Sequence, residues 1–392
     1  MTIDFAKTDY NLDEISAELS IHFDCSLDEI KEAIKNLPLK ENTLLASGPE
    51  NEKLEKEFAE YVGAKFAVCV NSGSSANLLA LASLKIPKLA IGRRVLTSAC
   101  GFPATLNPIL HLGLEPVLVD YSLETFNISI NTKINYGINA IILAHTLGNK
   151  VDLSWYDGSV PLIEDCCEAV GSKGVGQTGT LATWSFYPAH QMTALGGGGM
   201  VTTNREDLYL RMKSLRDWGK TATWDSGRGG NSTTYDSSIG YHMGYTYDTV
   251  GWNFKLPEAN CAFGREQIKK LDSFREIRMK NWKYLRDGLK DIPRLVISPM
   301  HEGASPFGLC MMVQNRNEFG AYLESKGIKH RPFFAGNILR QPAFKSPDAE
   351  KFPVADTLMT HVLFIGCHTK LTKEDLNYMI ETIHAFPGHT EF

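Results

Sequence analysis

The chain has 392 residues, of which 43% are hydrophobic and 22% charged, with a formal net charge of −5. This is the balance of an ordinary soluble globular protein, long enough for one large domain and a smaller one. It gives no reason to expect a nucleic-acid partner, and no apolar run approaches membrane-spanning length. The N-terminus "MTIDFAKTDYNLDE" is acidic and has no apolar centre, which argues against a secretory signal and for the cytoplasm. Eight cysteines are scattered singly apart from the pair Cys166-Cys167, and no CxxC occurs. Reduced cytosolic thiols are expected.

In chain order, residues 13–37 read as one or two amphipathic helices, making 1–43 an N-terminal helical segment. "NEKLEKEFAEYVG" is a further helix with a glycine stop. Then short β-rich segments alternate with helices. "KFAVCV" precedes "SSANLLALASL", and "RRVLTSA" precedes "PATLNPILHLG". "EPVLVD", "AIILAHT" and "VPLIEDC" follow. Continuous apolar strands separated by helices predict an α/β fold with a mostly parallel sheet covered on both faces. Residues 219–250, rich in Gly, Ser, Thr and Tyr, read as a long functional loop or a disordered one. From "LPEANCAFGREQ" a long helix leads out of the large domain, taken as 44–270. The rest, 271–392, forms a smaller α/β domain with "FGLCMMV", "NEFGAYLESKG", "IKHRPFF" and "KEDLNYMIETIHAF".

Four segments fall at strand ends, where open α/β sheets place their ligands. In "VNSGSSANL", Gly73, Ser74 and Ser75 lie between a strand and a helix, where N–H groups form a phosphate site. In "ACGFPATLNP", Phe102 could stack on an aromatic ring or pack as an ordinary turn residue. "PLIEDCCEAVG" ends a strand in Glu164-Asp165. An aspartate there is either a helix cap or the partner of a pyridine nitrogen, which it would keep protonated as an electron sink. In "SFYPAHQMTALGGGGM", Ser185 could bind phosphate and His190 faces the same place. Each segment alone is weak; the four in this order support one another.

The set "SGSSANL", "GFPAT", "EDCCEA", "SFYPAH…GGGG" and "GWNFKLPEANCAFGREQ" resembles the DegT/DnrJ-type sugar aminotransferases. These are fold-type I enzymes using pyridoxal phosphate (PLP) or pyridoxamine phosphate (PMP). The resemblance runs from about Leu44 to the C-terminus. It implies that Ser74, Ser75 and Ser185 hold the phosphate, that Phe102 stacks on the pyridine and that Asp165 meets its nitrogen. Glu168 would lie near the ring hydroxyl, where aminotransferases more often have Gln or His. Asn253 would reach the cofactor phosphate of a neighbouring subunit, implying a homodimer with shared active sites. Arg331 and Asn337, in "HRPFFAGN", are candidates for contacts to the substrate or to a glutamate carboxylate, since arginine suits bidentate carboxylate pairing.

The departure is His190, which stands where the family has the lysine that holds the cofactor covalently. "SFYPAH", "GFPAT", "RDWG" and "FAGNILRQPAF" resemble a small branch of the family, the 3-dehydratases of nucleotide-linked 4-keto-6-deoxy sugars. Histidine cannot hold the aldehyde, but with a near-neutral pKa it can move protons. The resemblance thus implies a PMP-dependent lyase of deoxysugar biosynthesis, removing the 3-hydroxyl of a GDP- or CDP-linked sugar. One form of the branch restores its amine from L-glutamate; the other carries a [2Fe–2S] cluster on thiolates in the loop after "RDWG". Residues 219–250 contain no cysteine, which favours the glutamate-dependent form with no metal, although "FAGNILRQP" resembles the cluster-bearing group at least as closely. Two other readings are an unusual aminotransferase using His190 and a catalytically silent nucleotide-sugar binder. The presence of Asp165, Ser185 and Phe102 argues against the silent one.

Overall fold

Apolar strands alternating with helices require cover on both sheet faces, and the architecture meets that demand. The computed structural model describes residues 46–84, 93–130, 137–221, 235–236 and 239–389, together with Asp28 and Lys31. The helices expected over 13–37 therefore fall almost wholly outside the described residues. Helix α1 (Pro49–Val62) begins with a proline, whose missing N–H needs no partner there, and stops at Gly63 in the left-handed region, φ 75°. Its start has no side-chain cap of its own. Instead the carboxylate of Glu258 accepts from the N–H groups of Gly48, Glu50 and Asn51 at 2.8, 2.7 and 3.3 Å.

There follow β1 (Phe66–Val70), α2 (Gly73–Ser83), β2 (Arg94–Ser98), α3 (Pro103–His111), β3 (Glu115–Val119), β4 (Ile138–Ala144), β5 (Leu162–Asp165), β6 (Leu181–Ser185) and β7 (Gly199–Thr203). They form one sheet in the order β1-β7-β6-β5-β4-β2-β3. The pairs β2–β3, β2–β4, β4–β5 and β5–β6 are parallel. The mostly parallel α/β sheet expected from the sequence is present. Strand β7 is the exception, antiparallel to both β1 and β6. Its reversal follows from the connection over 186–198, which holds no helix to carry the chain back across the sheet. Every residue of β5, β6 and β7 is buried. Each large aliphatic side chain so placed stabilises the fold by ~1.5–3 kcal/mol.

After β7 come α4 (Glu206–Arg216), a small ribbon of β8 (Tyr235–Asp236) and β9 (Tyr241–His242), α5 (Glu258–Ile268) and α6 (Leu271–Leu289). Of the long loop at 219–250, residues 222–234 and 237–238 lie outside the described residues. The single long helix expected from Leu256 onward is instead two, broken at Lys269–Lys270. The physical reason is divided packing: α5 lies against α1, whereas α6 lies against the last helix of the chain, α9 (Lys373–His384).

A second sheet is built from β10 (Val296–Ile297), β11 (Gly308–Met312), β12 (His330–Pro332) and β13 (Val362–Gly366), with α7 (Arg316–Ser325) and α8 (Pro353–His361) between its later strands. Its order is β10-β11-β13-β12 and every pair is antiparallel. One hydrophobic cluster joins the two sheets, with Leu96, Ile141 and Leu143 on one side and Cys310, Phe333 and Phe364 on the other. This junction brings residues 331–335 to the ends of the large sheet's strands. Among the described residues no helix is long and apolar enough to cross a membrane.

Candidate active site

A cavity of about 1090 Å³ opens where the strand-end segments meet the second sheet. Of the residues singled out from the sequence, Gly73, Ser74, Phe102, Asp165, Glu168, Ser185, His190 and Arg331 line it. Ser75, Asn253 and Asn337 do not.

One end is formed by the start of α2. Ser72 caps the helix, its Oγ accepting from Ser75 N–H at 3.0 Å and donating to Ser75 Oγ at 3.0 Å. The Ser72 hydroxyl is thus committed to the cap; Ser72 and Ser74 stand in the wall, and Ser75 does not. Gly73 packs directly on β6: a Cβ there would lie 2.6 Å from Ser185 Cβ and 2.9 Å from Cys167 Sγ. Only glycine allows the helix start and the Ser185 hydroxyl to converge this closely. The result is a cradle of N–H groups and hydroxyls with a helix N-terminus behind it, suited to a phosphate. Arg331 is the one lysine or arginine in the cavity wall among the described residues.

Asp165 stands at the end of β5, buried, with both oxygens fixed. Oδ2 accepts from Asn77 Nδ2 and Thr105 Oγ1, each at 2.8 Å, and Oδ1 accepts from Cys167 N–H at 3.1 Å. Asn77 also accepts from Thr183 Oγ1 at 2.5 Å and donates to the Ala104 carbonyl at 3.1 Å. Sequence reading missed Asn77 and Thr105. A signal was present: an asparagine in the otherwise apolar helix "ANLLALASL" has no solvent face to occupy, so it must find a buried partner.

The turn after β6 presents His190. Its N–H donates to the Tyr187 carbonyl at 2.9 Å, and its ring meets Phe307 edge-on at 5.4 Å. The next residue, Gln191, also missed, is buried and donates from Nε2 to the backbone carbonyls of Ser305, at 3.0 Å, and Glu168. That pins the turn to the segment after β5. His190 Nδ1 is shielded from solvent and has no hydrogen-bond partner. Burial pushes the imidazole down to about 4, with Arg278 adding to the effect and Asp165 opposing it. The near-neutral histidine expected from the sequence is therefore a free base at pH 7.

Phe102, at the N-cap of α3, is 54% exposed and offers a bare ring at the cavity mouth. Arg331 is exposed on β12 and donates to the His330 carbonyl at 2.8 Å. Asn253 is exposed and bridges to Asp217, away from the cavity. Asn337 needs correction as a substrate contact. It is fully buried, donates to the Ala349 carbonyl and Asp356 Oδ1, both at 2.9 Å, and caps a short 3-10 turn by accepting from Leu339 N–H. Its polar atoms are committed to holding the 337–356 segment.

A buried group of His145, Glu164 and Cys166 lies just behind Asp165. Glu164 accepts from His145 Nε2 at 2.8 Å and from the N–H groups of Gly176, Thr178 and Gly179. Burial alone would raise the Glu164 carboxyl, but these donors hold it below its ordinary value. His145 Nδ1 accepts from Val151 N–H at 3.0 Å. The donors of this group are spent on the fold, not open to an ion.

These features fit a pyridine cofactor with a phosphate arm: the cradle at Gly73 and Ser185, the fixed Asp165, the bare Phe102 ring and the unpartnered His190 nitrogen. The profile of the DegT/DnrJ/EryC1/StrS aminotransferase family matches residues 25–384. The chain is 36% identical over 378 residues to the dTDP-4-dehydro-2,6-dideoxy-D-glucose 3-dehydratase of Saccharopolyspora spinosa, covering 87% of this chain and 81% of that one. It is 30% identical over 353 residues to the GDP-4-keto-6-deoxy-D-mannose 3-dehydratase of Yersinia pseudotuberculosis, covering 84% and 89%. A solved GDP-4-keto-6-deoxymannose-3-dehydratase, holding a trapped PLP–glutamate geminal diamine, matches with a TM-score of 0.80 at 26% identity, covering 91% and 96%. Sequence and fold agree, and the chain belongs to the DegT/DnrJ/EryC1/StrS aminotransferase family of pyridoxal-phosphate enzymes.

Proposed function

We propose that this enzyme removes the 3-hydroxyl of a nucleotide-linked 4-keto-6-deoxy sugar, using PMP regenerated by L-glutamate and no iron–sulfur cluster. The observation that carries this reading is His190: an imidazole at the cavity wall, with no lysine lining the cavity among the described residues. Relatives named as 3-dehydratases of dTDP- and GDP-linked sugars support it, so the nucleotide is inferred only as a nucleoside diphosphate.

When bound, the cofactor supplies an amine for the sugar ketone and a protonated ring that draws off electrons. Asp165 holds the proton on the ring nitrogen, and its three fixed hydrogen bonds keep the carboxylate aimed. Ser74, Ser185 and the α2 N–H groups bind the phosphate. Phe102 covers one ring face. His190 takes a proton on its imidazole and returns it to the departing 3-oxygen, which leaves as water; one imidazole serves as base and then acid on the same face. Arg331 engages a substrate carboxylate or phosphate oxygen. Exposed Asn253 serves the site of a second copy, which makes the working unit a homodimer in the cytoplasm.

The test is incubation with PMP, L-glutamate and a nucleoside-diphosphate 4-keto-6-deoxyhexose, followed by mass spectrometry. The expected product lacks the 3-hydroxyl. A product that keeps this hydroxyl and gains an amine would make the protein an aminotransferase, and an unchanged sugar would make it a binder.

A further inference from the structure

Among the described residues two carboxyl groups line the cavity, and the chain treats them differently. Asp165 accepts three hydrogen bonds. Glu168 accepts one, from Leu147 N–H to Oε2 at 2.8 Å, and its Oε1 is left to the cavity. That single donor is firmly placed. Leu147 sits in the left-handed region at φ 54°, and Thr146 N–H beside it donates to Asn127 Oδ1 at 3.1 Å. The backbone of Glu168 is also fixed, its carbonyl accepting from Gln191 Nε2. The carboxyl is therefore held at the cavity wall.

Among the described residues, the groups facing it offer no positive charge. Asp165 approaches from the end of β5, the Cys167 thiol from the next turn and the Tyr121 phenol from the segment after β3. Burial raises both the thiol and the phenol, so each stays neutral. In the same wall His190 is a free base, and Arg331 is held on β12 by the His330 carbonyl. Burial, reinforced by the charge of Asp165 and opposed by the Leu147 N–H, pushes Glu168 up to about 8.

We propose that Glu168 works as a neutral carboxylic acid that donates a hydrogen bond from Oε1 to an anionic oxygen on the bound cofactor ring. The inference rests on the cofactor reading for its target only; the protonated acid follows from this chain's own packing. Two cavity groups, His190 and Glu168, are then driven in opposite directions, one kept as base and the other as acid. A side-chain amide would serve equally as a neutral donor, whereas a carboxylate would repel the same oxygen.

The first arm of the test needs no cofactor. Denaturant midpoints of the full-length parent and Glu168→Gln, both cofactor-free, are measured from pH 5 to 9. A carboxyl raised in the fold contributes stability that is full below 4.5 and lost as pH climbs to about 8. The expected result is a parent midpoint that falls steadily relative to Glu168→Gln up to about pH 8 and then levels. A constant gap over the whole range would mean an ionised Glu168 and overturn the proposal. In the second arm each protein is loaded with PLP alone and its absorption spectrum is followed with pH. Glu168→Gln should keep the parent's spectrum at pH 7 and lose the parent's transition near 8, whereas Glu168→Leu should depart already at pH 7. A Glu168→Gln spectrum as altered as that of Glu168→Leu removes the donor role. If the parent itself fails to bind PLP, the target falls together with the cofactor reading, while the first arm still decides whether Glu168 is protonated.

Discussion

Replacing Asn77 with alanine tests the apparatus behind Asp165. The Asn77 side chain is fully buried and makes three hydrogen bonds, to Asp165 Oδ2, Thr183 Oγ1 and the Ala104 carbonyl. Losing a hydrogen bond to an ionised carboxylate removes ~1.5–3 kcal/mol, and orphaning the Thr183 hydroxyl costs a further ~1–3 kcal/mol. Because the groups share one network the two do not simply add, and a total of ~3–5 kcal/mol is expected. That is a large share of the ~5–15 kcal/mol by which domains are usually stable, so the variant should fold but unfold early in urea. Thr183→Val removes the orphan in advance. The double variant should therefore lose less than the sum of the singles, with a coupling of ~1 kcal/mol. Equilibrium urea unfolding of all four cofactor-free proteins reads both numbers. A loss below ~1 kcal/mol for Asn77→Ala, with no coupling to Thr183, would refute the network.

Gly73→Ala should destabilise the protein by ~1–3 kcal/mol and weaken PLP binding in an equilibrium titration, because its methyl meets Ser185 Cβ at 2.6 Å. Gly197→Ala, whose Cβ would have its nearest neighbour at 3.6 Å, should leave the unfolding midpoint almost unchanged and serves as the control. Borohydride added to the PLP-loaded parent should attach no cofactor to the cavity wall, while His190→Lys should be labelled at position 190 and lose dehydration by ~10²-fold or more. Peptide mapping that finds cofactor attached in the parent would place a lysine in the site and end the present mechanism.

The parts of this structure that could be read from sequence are those where one residue type answers one physical demand. Wholly apolar runs such as "AIILA" had to be strands covered on both faces, and the ends of those strands had to carry the ligand residues. Phe102, Asp165, Ser185 and His190 duly converge on one cavity. What stayed hidden depends on partners distant in sequence. Asn77 looked like a plain helix residue because nothing local shows that Asp165 and Thr183 would close on it, 88 and 106 residues further on. Asn337 was a candidate for substrate contact because no local signal shows that Ala349 and Asp356 take its side-chain amide. The break between α5 and α6 has no glycine or proline to mark it; the two helices part because each has a different partner. The pKa of His190 is likewise set by burial, which no single segment displays.

The start of α1 is completed by Glu258, whose carboxylate meets Gly48 N–H across 210 residues of chain. Strand β1 waits in a similar way, since its neighbour β7 arrives only after five other strands have been made. On a ribosome adding about 5–20 residues per second, the gap from Gly48 to Glu258 lasts roughly 10–40 s. Through that interval the apolar faces of α1 and β1 are present without their final cover. The order of synthesis therefore runs against the order of assembly, and the newborn N-terminal third is the stretch most in need of a chaperone.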